Sequence, residues 1–383
     1  MKHSVPNFQR SELTKTWERG QRLSPCDRFQ KQPHSLPLLL LVFPWYTAPM
    51  DLETLQFRAR TIQRIRDFFI RRGYLELDTP ALSPHLIPES CLEVFRTEYL
   101  HPGTGEATSL YLVPSPEVHI KPLLAQHQVS MFQLSKCYRN CESTGRIHSP
   151  EFTMLEYYTV GASYLDTAAI TEDLFNELLP SQPPTTEADP FAHLRPPFLR
   201  LTMDEAFRQY AGFPLSSCRK ASQLAEQAQR LGIYEPEGNP FCQWPWDDLY
   251  ELILVQCVEP QLPTDRPVLL MDYPAQVPCL AQDVPNPDGS SQGGPLWKQR
   301  WELYVAGMEL SNCYSEETDP EKVRAYFQQE GAVKAKSARI PHSIDPDYWK
   351  HFQHFPTCSG NALGVDRLIA LLCGRTTIQG VLP

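Results

Sequence analysis

Among eleven cysteines there is no Cys-x-x-Cys pair, and the closest spacing, Cys137 to Cys141, is not one that grips zinc. A zinc finger or ribbon is thereby excluded. Without a secretory signal the cysteines read as reduced thiols, mostly core filler. Long apolar runs are also missing: in the N-terminal segment the longest is Leu38 to Phe43, six residues between Pro37 and Pro44. A bilayer span needs about 20, and a signal peptide needs its run nearer Met1. No membrane association is expected, and a cytoplasmic protein is. Glycine is scarce, 18 of 383 residues, where about 7% is usual. Proline takes the opposite course, with 37 residues, about double its ordinary share, so rigid turns and linkers should be frequent.

Positive charge is short as well. The net charge is −10, and residues 50 to 383 alone hold 28 Lys/Arg against 42 Asp/Glu. An acidic body argues against a broad nucleic-acid surface, because phosphates must be met by Lys and Arg. Small molecules or a protein are the expected partners. The length exceeds one ordinary domain and predicts a main domain with an insertion.

Residues 1 to 49 show no sustained period and read as a poorly ordered extension. From Asp51 the pattern changes: Leu55, Ala59, Ile62, Ile65 and Phe69 recur at helical spacing, and Gly73 supplies the stop. Strands are expected at 74–78, 110–113, 131–139 and 151–158, with a long polar hairpin loop between the last two. Helices are expected from Pro116 through Leu124 and over 164–179. Residues 180 to 197 form a proline-rich connector, and 198 to 265 read mostly as a helical insertion. Further strands fall at 268–273, 301–305 and 308–314, followed by a Gly-rich turn and a helix over 365–372. Hairpin-linked strands without βαβ units predict an α+β fold, an antiparallel sheet flanked by helices.

Four short constellations carry the chemistry. Tyr138-Arg139-Asn140-Cys141-Glu142, with Arg146, His148 and Phe152 beyond it, sets a guanidinium beside a long loop and an aromatic face on the returning strand, which suits a phosphate and a base. A solvated hairpin is the plainer reading. Glu309 and Glu316 sit seven apart, so a flat strand points them to opposite faces and a bulge or bend must converge them. Converged, they make with nucleotide phosphates an oxygen-ligand Mg2+ site. Gly360 and Gly364 let backbone approach a ligand, and Arg367 follows one turn into a helix. Ser115-Pro116-Glu117 starts a helix, with a Glu placed to bind an ammonium.

In this order the four segments resemble the catalytic domain of class II aminoacyl-tRNA synthetases. Gly73 to Pro80 is similar to motif 1, Phe132 to Tyr158 to motif 2, and Gly360 to Leu372 to motif 3. Phe132-Gln133-Leu134, Pro150-Glu151-Phe152-Thr153-Met154-Leu155-Glu156 and Glu309-Leu310-Ser311-Asn312 are similar to the lysyl subgroup. The resemblance covers about residues 50 to 380. The 49 residues ahead are too few for that subgroup's anticodon-binding barrel, so no tRNA is expected. The combination resembles the truncated paralogues that attach (R)-β-lysine to a lysine of translation elongation factor P. Departures are Cys141 for a usual Glu, one additional residue before Gly145, and Ile147, Ser149 and Ser315 for Tyr, Asn and His.

The resemblance implies ATP-dependent activation of a lysine-like amino acid to an acyl-adenylate, transfer to a lysine of elongation factor P, and a homodimer. It implies that Arg139 bridges carboxylate and α-phosphate, that Glu309 and Glu316 hold Mg2+, and that Phe152 and Arg367 sandwich adenine, with Asn140, Glu142, His148, Leu310 and Gly364 completing the ATP site. Glu117 and Glu156 then bind the two ammonium groups, and Ser115, Tyr158, Asn312, Glu316 and Ala362 shape the amino-acid pocket. A truncated tRNA-charging enzyme and a catalytically silent regulatory paralogue remain as alternatives.

Overall fold

A computed structural model describes residues 50–181, 188–285, 294 and 296–382. The extension expected over residues 1–49 and the middle of the proline-rich connector lie outside the described residues. Helix α1, Leu52–Arg71, starts where Asp51 accepts the Thr54 N–H at 2.7 Å, a side-chain N-cap of the kind that satisfies a free helix-start donor. It buries Ile65, Phe68 and Phe69 and stops at Gly73, whose φ of +80° is a left-handed turn that favours glycine.

The chain continues through β1 (Leu75–Glu76), β2 (Leu82–Ser83), β3 (Phe95–Leu100), β4 (Ala107–Leu112), α2 (Glu117–His127), β5 (Met131–Tyr138), β6 (Glu151–Val160) and α3 (Tyr164–Leu178). After the connector come β7 (Leu199–Thr202), α4 (Met203–Ala206), α5 (Ala221–Arg230), α6 (Trp246–Ile253), β8 (Val268–Pro274), β9 (Trp297–Val305), β10 (Met308–Ser315), α7 (Pro320–Ser337), β11 (Cys358–Gly364) and α8 (Val365–Leu372).

Eight strands form the main sheet in the order β1-β5-β6-β11-β10-β9-β8-β7. Its interior is antiparallel as expected, but both edges are parallel pairs, β1 with β5 and β7 with β8. The strand expected at 74–78 shrinks to two paired residues. The one expected at 110–113 belongs instead to a separate three-stranded sheet, β2-β4-β3. The Gly-rich turn expected before α8 is strand β11: glycine serves there for clearance, not for turning. Residues 198–265 open with β7 before turning helical, and they pack a core of their own around Phe207, Leu224, Phe241 and Ile253.

Side chains alternate across the sheet. Leu155, Tyr157, Trp301, Leu303, Cys313 and Leu363 point into one core with α1, α3 and α8. There Phe69 lies 5.1 Å from Phe132 and 4.7 Å from Tyr157 between ring centroids, contacts worth about 0.5–1.5 kcal/mol each beyond burial. The opposite face carries the polar residues described next.

Candidate active site

Sheet register assembles the site. Gln133, Glu156, Ala362, Asn312 and Glu302 are neighbours in one row across β5, β6, β11, β10 and β9. Tyr158, Gly360, Tyr314 and Arg300 form the next row. Even-numbered residues of β6, β11, β10 and β9 therefore share one face with odd-numbered Gln133 of β5. Odd-numbered Glu309 joins them because pairing with β9 slips between Glu309 and Ser311: Glu309 stands opposite Tyr304, while Ser311 stands opposite Leu303. This is the bulge that the seven-residue spacing demanded.

Glu316 arrives from just past the end of β10, its N–H donating to the Cys358 carbonyl at 3.0 Å. A methyl group on Gly360 would fall 2.6 and 2.9 Å from Tyr158 ring carbons and collide with Glu316 Oε1. No larger residue fits between these two side chains.

Every expected site residue but Asn140 lines one cleft of about 1290 Å³ on this face. Asn140 is committed elsewhere. Its amide donates to the Val94 carbonyl at 3.3 Å and its Oδ1 accepts the Cys141 N–H at 2.8 Å, tying the end of β5 to the small sheet. One end of the cleft is cationic. The Arg139 guanidinium lies 5.2 Å from the Phe152 ring centroid and 3.7 Å from Glu142. Arg367 is held by the Ile147 carbonyl at 3.0 Å and the Glu309 carbonyl at 2.6 Å. Its neighbour Asp366 pairs with Arg58 of α1 at 2.6 Å and accepts the Thr153 N–H at 2.6 Å, so one buried network fixes the flanks of both Phe152 and Arg367. Burial and then Arg367 hold His148 below its ordinary pKa, which keeps that imidazole neutral.

The other end is acidic around one buried cation. Lys121, fully enclosed, pairs with Glu117 one turn earlier in α2 and with Glu316 at 2.7 Å. Burial opposes its charge, but Glu117 and Glu316 outweigh burial and keep the ammonium protonated. Glu156 accepts hydrogen bonds from Ser115, at 2.7 Å, and Tyr158. Burial first, and then Glu117, push its carboxyl up to about 7. Pro122 inside α2 has no N–H for the Val118 carbonyl, and the Tyr348 hydroxyl takes that carbonyl at 3.3 Å.

Glu309 and Glu316 keep different company. Glu309 is exposed on the open side of the cleft, and there desolvation and Glu302 raise its carboxyl, with Arg367 and Arg139 opposing. Burial pushes Glu316 to about 8, with Lys121 opposing and Glu117 adding to the rise. Among the described residues no three His, Cys, Asp or Glu side chains surround a metal position. A cation at these carboxylates would therefore complete its shell from phosphate oxygens or water, which is how Mg2+ is usually held. A buried carboxyl, Glu316, and an exposed one, Glu309, both lining the cleft, offer oxygen donors that suit such an ion.

Sequence reasoning passed over Lys121, Arg300 and Glu302. Arg300 contacts Glu302 at 2.6 Å and Asn312 Oδ1 at 3.1 Å. The readable signal was two charged residues at i and i+2 in a strand whose alternate positions are Trp301 and Leu303. Lys121 carried the weaker signal of an i+4 partner for Glu117.

Two arginines at one end of a sheet-borne cleft, and carboxylates able to meet ammonium groups at the other, define a domain that activates amino acids on a nucleotide. The family model described as tRNA synthetases class II (D, K and N) matches residues 45–383, and the chain belongs to that family of ATP-dependent amino-acid ligases. It is 35% identical over 336 residues to elongation factor P–(R)-β-lysine ligase of Vibrio vulnificus, spanning 86% of this chain and 95% of that one. It is 32% identical to the protein of the same name from Haemophilus ducreyi, over 87% of this chain and 93% of that one. The Klebsiella pneumoniae protein of that name is 33% identical, over 85% and 92%. No helix among the described residues is long and apolar enough to cross a membrane.

Proposed function

We propose that the chain uses ATP to convert (R)-β-lysine to its acyl-adenylate and transfers the acyl group to a lysine of elongation factor P in the cytoplasm, without tRNA. The observation that carries this reading is the charge layout of the cleft. Glu117, Glu156 and Glu316 bring three carboxyls against buried Lys121, and that excess suits an amino acid with two ammonium groups. The relatives' names supply the amino acid and the acceptor.

On this reading the substrate carboxylate, already ionised, attacks the α-phosphate in line, and the protein contributes position and charge. Arg139 bridges the carboxylate and the α-phosphate. Phe152 and Arg367 flank the adenine, with Glu142, His148, Leu310 and Gly364 around the nucleotide. Asn140 acts by fixing the strand end that carries Arg139. Glu117 and Glu156 bind the two ammonium groups, and Ser115, Tyr158, Asn312 and Ala362 shape the pocket. Glu309 and Glu316 would hold Mg2+, which when bound offsets negative charge on the phosphates. Residues 50–383 act as one catalytic domain carrying 198–265 as an insertion, and two copies pair through α1 and β1. Exposed Leu52, Leu55, Ile70 and Leu75 on these elements support that pairing.

The test is incubation of the purified protein with ATP, Mg2+, elongation factor P and either (R)-β-lysine or α-lysine, read by intact mass. A gain of one β-lysyl group on a single lysine is expected. Charging of tRNA in its place, or an unmodified factor, would overturn the reading.

A further inference from the structure

Transfer to a lysine makes a demand that activation does not. The carboxylate that attacks ATP is ionised, but a lysine ammonium has a pKa near 10.4 and must shed a proton before its nitrogen can attack. The following inference rests on the acceptor proposed above.

Glu89 lies in the connection between β2 and β3 and lines the cleft. Its strongest charged neighbours are Glu117, Arg139, Lys334 and Lys121. It lines the same cleft as Arg139 at one end and Glu117 at the other, and on the proposed reading the acyl carbon of the adenylate lies between those ends. Its backbone is clamped by α7: Lys334 Nζ donates to the Glu89 carbonyl at 2.8 Å and also to the Leu92 carbonyl, and the Ser90 N–H donates to Glu330 at 3.3 Å. Among the described residues no hydrogen bond engages its carboxyl. The clamped backbone sets where the residue lies, and a carboxyl with no partner of its own has oxygens open to a proton donor.

We propose that Glu89 is the catalytic base of the transfer step, taking the proton from the acceptor lysine. Burial and then Glu117 raise its pKa, against Arg139, Lys334 and Lys121, so it holds a proton more readily than an exposed glutamate. Around it also stand Tyr314, Tyr326 and Cys91.

In the step, the ammonium loses one proton to the Glu89 carboxylate. The freed amine attacks the acyl carbon, the C–N bond forms, and the bond from that carbon to the phosphate oxygen breaks. Its electron pair leaves on AMP. The second proton on nitrogen passes to the departing phosphate or to water.

The experiment compares wild type with Glu89→Gln in three assays: amino-acid-dependent pyrophosphate exchange, single-turnover transfer from preformed adenylate to elongation factor P, and transfer to hydroxylamine, which is already neutral at pH 7. Exchange and hydroxamate formation should stay close to wild type, while transfer to the protein lysine falls by about 100-fold or more. Unchanged protein transfer overturns the proposal. So does a parallel loss with hydroxylamine, which would make Glu89 a shaping residue, or a parallel loss of exchange, which would place it in activation. If wild type exchanges pyrophosphate but leaves elongation factor P unmodified, the acceptor reading fails by itself. The same comparison with butylamine as acceptor then decides Glu89.

Discussion

Lys121 Nζ lies 2.7 Å from Glu316 Oε2, and neither side chain is more than 1% exposed. A cation shut away with two carboxylates is costly to unpair. Lys121→Met should destabilise the protein by about 3–5 kcal/mol, because it strands buried charge. Denaturant unfolding of the variant checks this, and an unchanged midpoint would mean that the pair is open to water.

If Glu309 holds the metal, Glu309→Gln preserves shape and removes the charge. Pyrophosphate exchange should fall by about 100-fold or more while the unfolding midpoint holds. Glu316→Gln should lower exchange likewise, but with a lower unfolding midpoint, because it also takes a carboxylate from buried Lys121. Exchange at the wild-type rate in the Glu316 variant would remove that residue from the metal site.

Glu156 titrates near 7 in the fold against 4.5 for a free glutamate. Between those values the folded state binds more protons than the unfolded one, so this group's contribution to stability is full below about pH 4.5 and is lost as pH rises to 7. Binding of a diammonium substrate should reverse the balance by ionising the carboxyl. Calorimetry in buffers of different ionisation enthalpy should then show proton release near pH 6.5, and Glu156→Gln should abolish it.

Ala362 sits in register between Glu156 and Asn312, where its methyl would crowd the α-ammonium of ordinary lysine. Ala362→Gly should improve kcat/KM for α-lysine relative to (R)-β-lysine by up to about 10- to 200-fold. An unchanged ratio would leave Ala362 as packing alone. Gly360→Ala should behave differently, losing activity on both isomers, because its methyl meets Tyr158 and Glu316.

Light scattering at micromolar concentration should give twice the chain mass if α1 and β1 pair two copies. A monomer would count against that interface.

How far the sequence reached depended on whether a signal was local. Helix α1 was legible because Asp51, the apolar spacing and Gly73 all act within one turn or along one face. Helix α8 was read to the residue, and the strands around Leu155 and Leu303 were expected at 151–158 and 301–305. Glu309 and Glu316 were expected to share a face only on condition of a bulge, since period-two geometry forbids odd and even positions to do so without one. That slip between Glu309 and Ser311 is settled by pairing with β9, a partner that local spacing does not name. Gly360 was expected to give clearance to a ligand from a turn; it gives it from strand β11 to the Tyr158 ring and the Glu316 carboxylate, which come from two other chain segments. The parallel edges, the diversion of Asn140 to Val94, and the burial of Lys121 between Glu117 and Glu316 have the same origin. The chain by itself determined which side chains alternate and where elements begin, because those follow from neighbours along it; only the tertiary structure decided which charges meet, because register and burial are set by segments far apart in sequence.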